Sequence, residues 1–313
     1  MKKLFPVFIT LSLLLSACGS FGANAAPTPI VVSTAVPVVV STNEPLPVES
    51  GKAGSERVAP GDGMVQVFVP AGEFQMGGYD GDVQNDERPT HKVQLDSFWI
   101  DKLEVTNGMY QICVKDGGCQ PTRYEKSATH PDYYTNKDFT DFPVIYVNWQ
   151  DASNYCQWAG RRLPSEAEWE FAARGNADTR RFPWGDQSPD NTLANYDYQQ
   201  LRDTTRVGTF PRGASPFGAL DMAGNVWEYT SDFFSGNFYN MPESLVSNPV
   251  GAKGKDGGQK SLRGGSYADV FKELRVSNRG FATAPDLTAD VKSEAYKGAA
   301  NDRTGFRCAA PGK

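Results

Sequence analysis

Apolar residues recur with a helical period most clearly between residues 143 and 175. Ala152, Tyr155, Cys156 and Ala159 fall at i, i+3, i+4 and i+7, with Trp149 a turn earlier on the same face. That spacing predicts an amphipathic helix with one apolar stripe. Gly160 supplies the left-handed residue that ends it. Ser165 and Glu168 form an S-x-x-E capping box, which predicts the start of a second helix. Trp169, Ala172 and Ala173 make its buried stripe, and Gly175 ends it. Thr106 reads as the N-cap of another helix over about Asn107–Lys115, with Gly117 past its end. Strands are expected at Val65–Pro70 and Gly72–Met76, and a strand pair in the weakly alternating Val93–Val105. Tyr124–Phe142 reads as loop. Beyond Gly175, Gly, Asn, Asp and Pro punctuate short runs, and strands are expected only around Ser261–Tyr267 and Gly305–Ala309.

The N-terminal 62 residues follow a different pattern. Lys2 and Lys3 precede the apolar Leu4–Leu15, which reads as a signal sequence. It is shorter than the ~20 residues of a bilayer span. It ends in Leu15-Ser16-Ala17-Cys18, which resembles the bacterial lipobox, where cleavage precedes the cysteine and its thiol takes the lipid. The expectation is a signal peptide over residues 1–17 and a lipidated Cys18. A disordered Pro/Ser/Thr-rich tether then covers residues 18–62, and a single domain residues 63–313. Such a protein is extracytoplasmic, with the membrane of a bacterial cell envelope as its first partner.

Charge and cysteine usage fit that placement. Loss of Lys2 and Lys3 leaves 29 basic against 37 acidic residues, a net charge of −8. No basic patch or stripe marks a nucleic-acid partner. Apart from Cys18, four cysteines remain: Cys113, Cys119, Cys156 and Cys308. Four cysteines allow three pairings. Cys113 and Cys119 bracket the turn-rich V-K-D-G-G, so a local bridge between them is sterically easy. The two histidines, His91 and His130, are well separated, and no zinc, three-histidine iron, nucleophile-elbow or phosphate-loop motif is present. Asp221 and Glu228 flank a glycine turn. Calcium takes 6–8 oxygens from carboxylates and carbonyls, and such a turn offers both. The alternative is a turn whose Glu228 pairs with an arginine.

A series of motifs resembles the formylglycine-generating-enzyme (sulfatase-modifying factor) family, in family order. They are GEFQMG at Gly72–Gly77, DERPTHKV at Asp86–Val93, EVTN at Glu104–Asn107 and the long run from Val147 to Gly175. FPWGD at Phe182–Asp186, GNVWEY at Gly224–Tyr229, RGGSY at Arg263–Tyr267 and TGFRCA at Thr304–Ala309 follow. The resemblance covers about residues 64–310. It implies an α+β fold, related to C-type lectins, with much irregular chain. It also implies a Cys156–Cys308 disulfide and two calcium sites. One uses the side chains of Asp221 and Glu228 with the carbonyls of Gly224 and Val226. The other uses Asn195 and Asp203 with the carbonyls of Tyr196 and Thr205. Active members of the family bind Cu(I) through two cysteines after the G-G-S-Y motif. Here those positions are Asp269 and Leu274, so copper is not expected. Ser266 and Arg279 stand at positions that line the family's groove. The resemblance therefore implies a non-catalytic, anchored member binding a peptide, glycan or envelope protein. The alternative is a formylglycine-generating or related sulfur-oxidising enzyme.

Overall fold

A computed structural model of the chain describes residues 51–312 apart from 177, 178 and 199–201. The signal sequence, Cys18 and most of the tether lie outside the described residues. Among those described, the early strands are β1 (Glu56–Val58), β2 (Val65–Val69), β3 (Gly72–Met76), β4 (His91–Leu95) and β5 (Phe98–Asp101). Helices α1 (Asn107–Lys115), α2 (Trp149–Trp158) and α3 (Glu166–Arg174) come next. After them come β6 (Trp227–Phe233), β7 (Gln259–Arg263), β8 (Gly280–Thr283), α4 (Glu294–Lys297), β9 (Thr304–Gly305) and β10 (Ala309–Pro311). The architecture is α+β, with long irregular connections.

Three sheets carry these strands: β1-β2-β5-β10, the hairpin β3-β4, and β8-β7-β6-β9. All pairings are antiparallel except β6 with β9. The first and last parts of the domain therefore meet in one sheet, where Ile100 lies opposite both Val67 and Ala309. One apolar centre lies among this sheet, the hairpin and α3, and includes Val67, Phe74, Val93, Ile100, Trp169 and Phe171. A second gathers α1, α2 and the later strands around Tyr110, Tyr155, Tyr229 and Phe306.

The helices begin where the caps predict. Thr106 accepts from the Met109 N–H to start α1, and the Ser165–Glu168 capping box starts α3. Gly160 (φ +70°) follows α2 and Gly175 (φ +71°) closes α3. A second capping box, Asn148 with Asp151, starts α2 and went unread in the sequence. Both expected disulfides are present, with Cα–Cα distances of 5.3 Å for Cys113–Cys119 and 5.6 Å for Cys156–Cys308.

Several expectations are corrected. The domain begins before residue 63: β1 pairs with β2, and Asp62 accepts from Tyr155 Oη at 2.6 Å and from Arg161. Strands β6 and β8 were not expected. They read poorly because β6 alternates little and β8 is only four residues long. The larger correction concerns α3, predicted to bury one stripe. Every residue from Glu166 to Arg174 is buried. Its polar face is satisfied by arginines from distant chain: Arg279 on Glu166 at 2.7 and 2.9 Å, and Arg263 on Glu170, which also takes Arg174 at 2.8 Å. Removing one partner of such a buried pair costs about 3–5 kcal/mol, because the other charge stays buried alone.

Candidate functional site

The chain leaves β7 through Gly264 (φ +98°) and Gly265 (φ +74°), a backbone that a side chain would strain. A Cβ at Gly265 would also meet the Glu273 carbonyl oxygen at 3.0 Å. This double turn sets Ser266 beneath Asp269. Oδ2 of Asp269 accepts from the Ser266 N–H (2.9 Å), from Ser266 Oγ (2.5 Å) and from Trp227 Nε1 (2.8 Å). Trp227, at the start of β6, lies over Gly280 of β8, where a Cβ would approach its ring to 2.9 Å. The neighbouring loop is tied in by the Asp197 N–H on the Asp269 carbonyl and the Tyr198 N–H on the Tyr267 carbonyl. Tyr198 is 49% exposed with its ring centroid 6.0 Å from that of Tyr267. Asp269, Trp227 and Tyr198 therefore form one part-exposed surface, with Ser266 fully buried beneath it. Trp227 and Tyr198 were not singled out in the sequence. Aromatic residues are abundant, and nothing local marks these two.

Leu274 ends the 3₁₀ turn Phe271–Leu274 and is fully buried against Phe182, Ala194 and Ala223. Positions 269 and 274 thus differ in kind, a surface carboxylate and a core leucine. Cys113, Cys119, Cys156 and Cys308 are all in disulfides. The donor set here is one hard carboxylate already hydrogen-bonded to three groups, which does not fit Cu(I).

Arg279 is not part of this surface. It is only 6% exposed, holds Glu166 in a bidentate pair and donates to the carbonyls of Asp86 and Ser235. Its guanidinium is stacked by Phe234 and Tyr239 at 4.8 and 4.3 Å. It fastens α3 to the later strands, and its expected place in the groove is corrected.

The two expected calcium turns lie against each other. The Asn225 N–H donates to the Asn195 carbonyl, and Gly224 (φ +83°) passes so close that a Cβ would meet that carbonyl oxygen. Asn195 Nδ2 reaches the Asp203 carbonyl at 2.9 Å, and the Thr205 N–H donates to Asn225 Oδ1 at 2.9 Å. Tyr196 sends its hydroxyl to the Pro189 carbonyl. Most of the expected ligands are thus in one place, but they divide in their fit to a cation. Glu228 receives Arg307 on both oxygens at 2.6 Å and Trp169 Nε1 at 2.8 Å. Asp203 accepts from Ser127, twice from Thr129 and from the Thr204 N–H. Neither carboxylate is open, and the arginine alternative for Glu228 is the one observed. Asn195 Oδ1, by contrast, is buried without a partner. Asp221 (φ +57°) accepts from the Gly208 N–H at 2.6 Å. Among the described residues, no group of three His, Cys, Asp or Glu side chains is arranged to hold a metal.

Sequence reasoning did not assign Glu104 a role. It is fully buried, accepting from Asn225 Nδ2 (2.6 Å) and the Val226 N–H (3.2 Å). Burial first, then the charges of Asp221 and Glu228, hold its carboxyl well above the usual range. Burial raises Asp221 to about 6. Three carboxyl groups are buried around one arginine, and the raised pKa values of Glu104 and Asp221 reflect that crowding. The signal was an acid between Leu103 and Val105, in apolar surroundings.

The histidines are separate. His91 is buried with Nδ1 3.1 Å from the Pro89 carbonyl, and burial lowers its pKa. His130 rests on Phe139 at 4.5 Å between ring centroids.

An α+β domain with interlocked sheets, two bridges and a double-glycine turn facing an aromatic surface defines the class. The chain belongs to the family described as the sulfatase-modifying factor enzyme 1-like domain, which matches residues 51–311. It is 32% identical over 253 residues to a serine/threonine-protein kinase pkn1 of Chlamydia pneumoniae, covering 78% of this chain and 37% of that protein. The chain thus spans little more than a third of that relative's length. It is also 32% identical over 297 residues to a formylglycine-generating enzyme of Streptomyces coelicolor, covering 78% of this chain and 88% of that one. Among solved structures, PvdO from Pseudomonas aeruginosa superposes with a TM-score of 0.67 at 27% identity, over 84% of this chain and all of that one.

Proposed function

We propose that this chain is a lipid-anchored envelope protein whose sulfatase-modifying-factor domain binds a peptide, glycan or envelope protein and does not oxidise a client cysteine. The observation that carries this reading is the chemistry of positions 269 and 274. Two thiolates are needed to hold a soft Cu(I) ion. Asp269 holds Ser266 and Trp227 through Oδ2, and Leu274 belongs to an apolar cluster. The double-glycine turn, the disulfide and the buried pairs around α3 are all intact, so the surface is still held in shape. Its recognition groups are Asp269, Trp227 and Tyr198, with Ser266 beneath as the positioning residue.

Calcium belongs to this proposal as a structural ion. The residues that fit it are Asn195, through its unpartnered Oδ1, and Asp221, with nearby carbonyls. Glu228 and Asp203 do not fit. A divalent cation would favour the ionised forms of Glu104 and Asp221, which burial disfavours.

The test is mass spectrometry of a C-x-P-x-R peptide incubated with the copper-treated protein and a reductant. The expected result is an unchanged peptide. A mass loss corresponding to conversion of the cysteine CH2SH to an aldehyde would overturn the reading and restore the oxidase alternative.

A further inference from the structure

A second feature lies on other elements and does not depend on the surface around Asp269. A cavity of about 300 Å³ opens between the chain that follows α3 and the β3–β4 connection. Three arginines line it, Arg174, Arg180 and Arg181, with Thr179, Asp80 and Asp186 among the other walls. Their charges are not balanced alike. Arg174 is held by Glu170 at 2.8 Å and donates to the Gly77 carbonyl at 2.6 Å. Arg181 is held by Asp80 at 3.0 Å and by Asp82, and its N–H goes to Asp186 at 2.9 Å. These acids are therefore already engaged. Arg180 donates Nη1 to the Pro183 carbonyl at 2.9 Å, and its Nε is buried with no hydrogen-bond partner. No ion pair joins it to a carboxylate among the described residues. Burial makes its protonated form less favourable; the charge of Asp186 opposes this in part, and the positive charge of Arg174 adds to it. Asp186 is the nearby counter-charge but is not paired with it directly, so the arginine's planar fork of donors remains suited to an oxyanion.

We propose that this cavity is a binding site for a tetrahedral oxyanion, phosphate or sulfate, held by Arg180 with Thr179 at the mouth. A water occupies about 30 Å³ of liquid, so the space exceeds a single such ion. It therefore has room for the ion as a monoester on a larger molecule.

The experiment is a thermal-shift titration of the full chain at constant ionic strength. Its arms are inorganic phosphate, inorganic sulfate, glycerol phosphate and acetate, run on wild type, Arg180→Gln and Arg180→Lys. The expected result is a saturable rise in melting temperature with phosphate or sulfate, little response to acetate, and apparent affinity at least tenfold weaker in Arg180→Gln. A tighter response to glycerol phosphate than to the free ion would assign the site to esters. Arg180→Lys keeps the charge and is expected to retain part of the response. This variant also serves if Arg180→Gln does not fold. Line broadening of the phosphate ³¹P signal by wild type, absent with Arg180→Gln, is the independent readout. No saturable response in wild type, or the same response in all three proteins, would overturn the proposal.

Discussion

Asp232 offers a test of how burial sets the stability of this domain. It lies on β6, is 2% exposed, and receives the Glu166 N–H at 3.0 Å and Ser231 Oγ at 2.8 Å. It thus caps the first turn of α3 from another strand. Burial first, then the neighbouring Glu166 charge, raise its pKa from 3.8 to about 7. A carboxyl whose folded pKa is raised binds its proton more tightly in the folded state. Stability from this group is therefore complete below pH 3.8 and is lost as pH rises from about 4 to 7. At 1.36 kcal/mol per pH unit, the charged form costs at most roughly 4 kcal/mol once ionised. Asp232→Asn removes that cost but also replaces a charge-assisted hydrogen bond and adds an NH2 needing a partner, together worth about 1–3 kcal/mol. The net expectation is that Asp232→Asn is more stable than wild type by roughly 1–3 kcal/mol at pH 7.5 and within about 1 kcal/mol of it at pH 5. Urea unfolding at pH 5, 6, 7 and 7.5, without reductant, reads this directly. The range stops below the midpoint of Lys260, lowered to about 8 by burial, so most of that lysine keeps its proton throughout. A stability difference that does not change with pH would show that Asp232 is not the strained acid inferred here.

The Cys156–Cys308 bridge closes a separation of 152 residues, and Cys308→Ala should cost about 2–5 kcal/mol, read as a lower urea midpoint. Arg279→Ala is expected to destabilise by about 3–5 kcal/mol through the stranded Glu166 charge; wild-type stability with altered peptide binding would return it to the groove. Chelation should lower the melting temperature and calcium restore it, with about 2.7 kcal/mol gained at 100 times Kd; Asn195→Ala should blunt that response, and an identical curve with and without chelator would remove calcium from the proposal. Cys18→Ser should abolish metabolic labelling by palmitate, and persistent labelling would count against lipidation at that residue.

What the sequence determined here is local. Thr106, Ser165 and Glu168 start helices because a side chain and the first free N–H groups lie within three residues of each other. Gly160 and Gly175 end helices because their backbone needs no neighbour to permit it. The G-G-S-Y turn was legible for the same reason, since it is carried by consecutive residues; the expectation about thiols at 269 and 274 came from the family resemblance instead. What the tertiary structure decided is where charge is satisfied. Nothing near Glu166 or Glu170 shows that Arg279 and Arg263, about a hundred positions away, will bury them, so α3 read as half-exposed. Arg279 read as a groove residue for want of the same information, and for Glu228 the choice between a metal and an arginine stayed open until Arg307 was seen to cover it. Glu166 is buried because its partner arrives from elsewhere in the fold, and such a partner is invisible to any pattern of neighbouring residues. The surface around Asp269 joins both kinds of information: its turn is local, but Trp227 reaches it only because β6 and β7 pair.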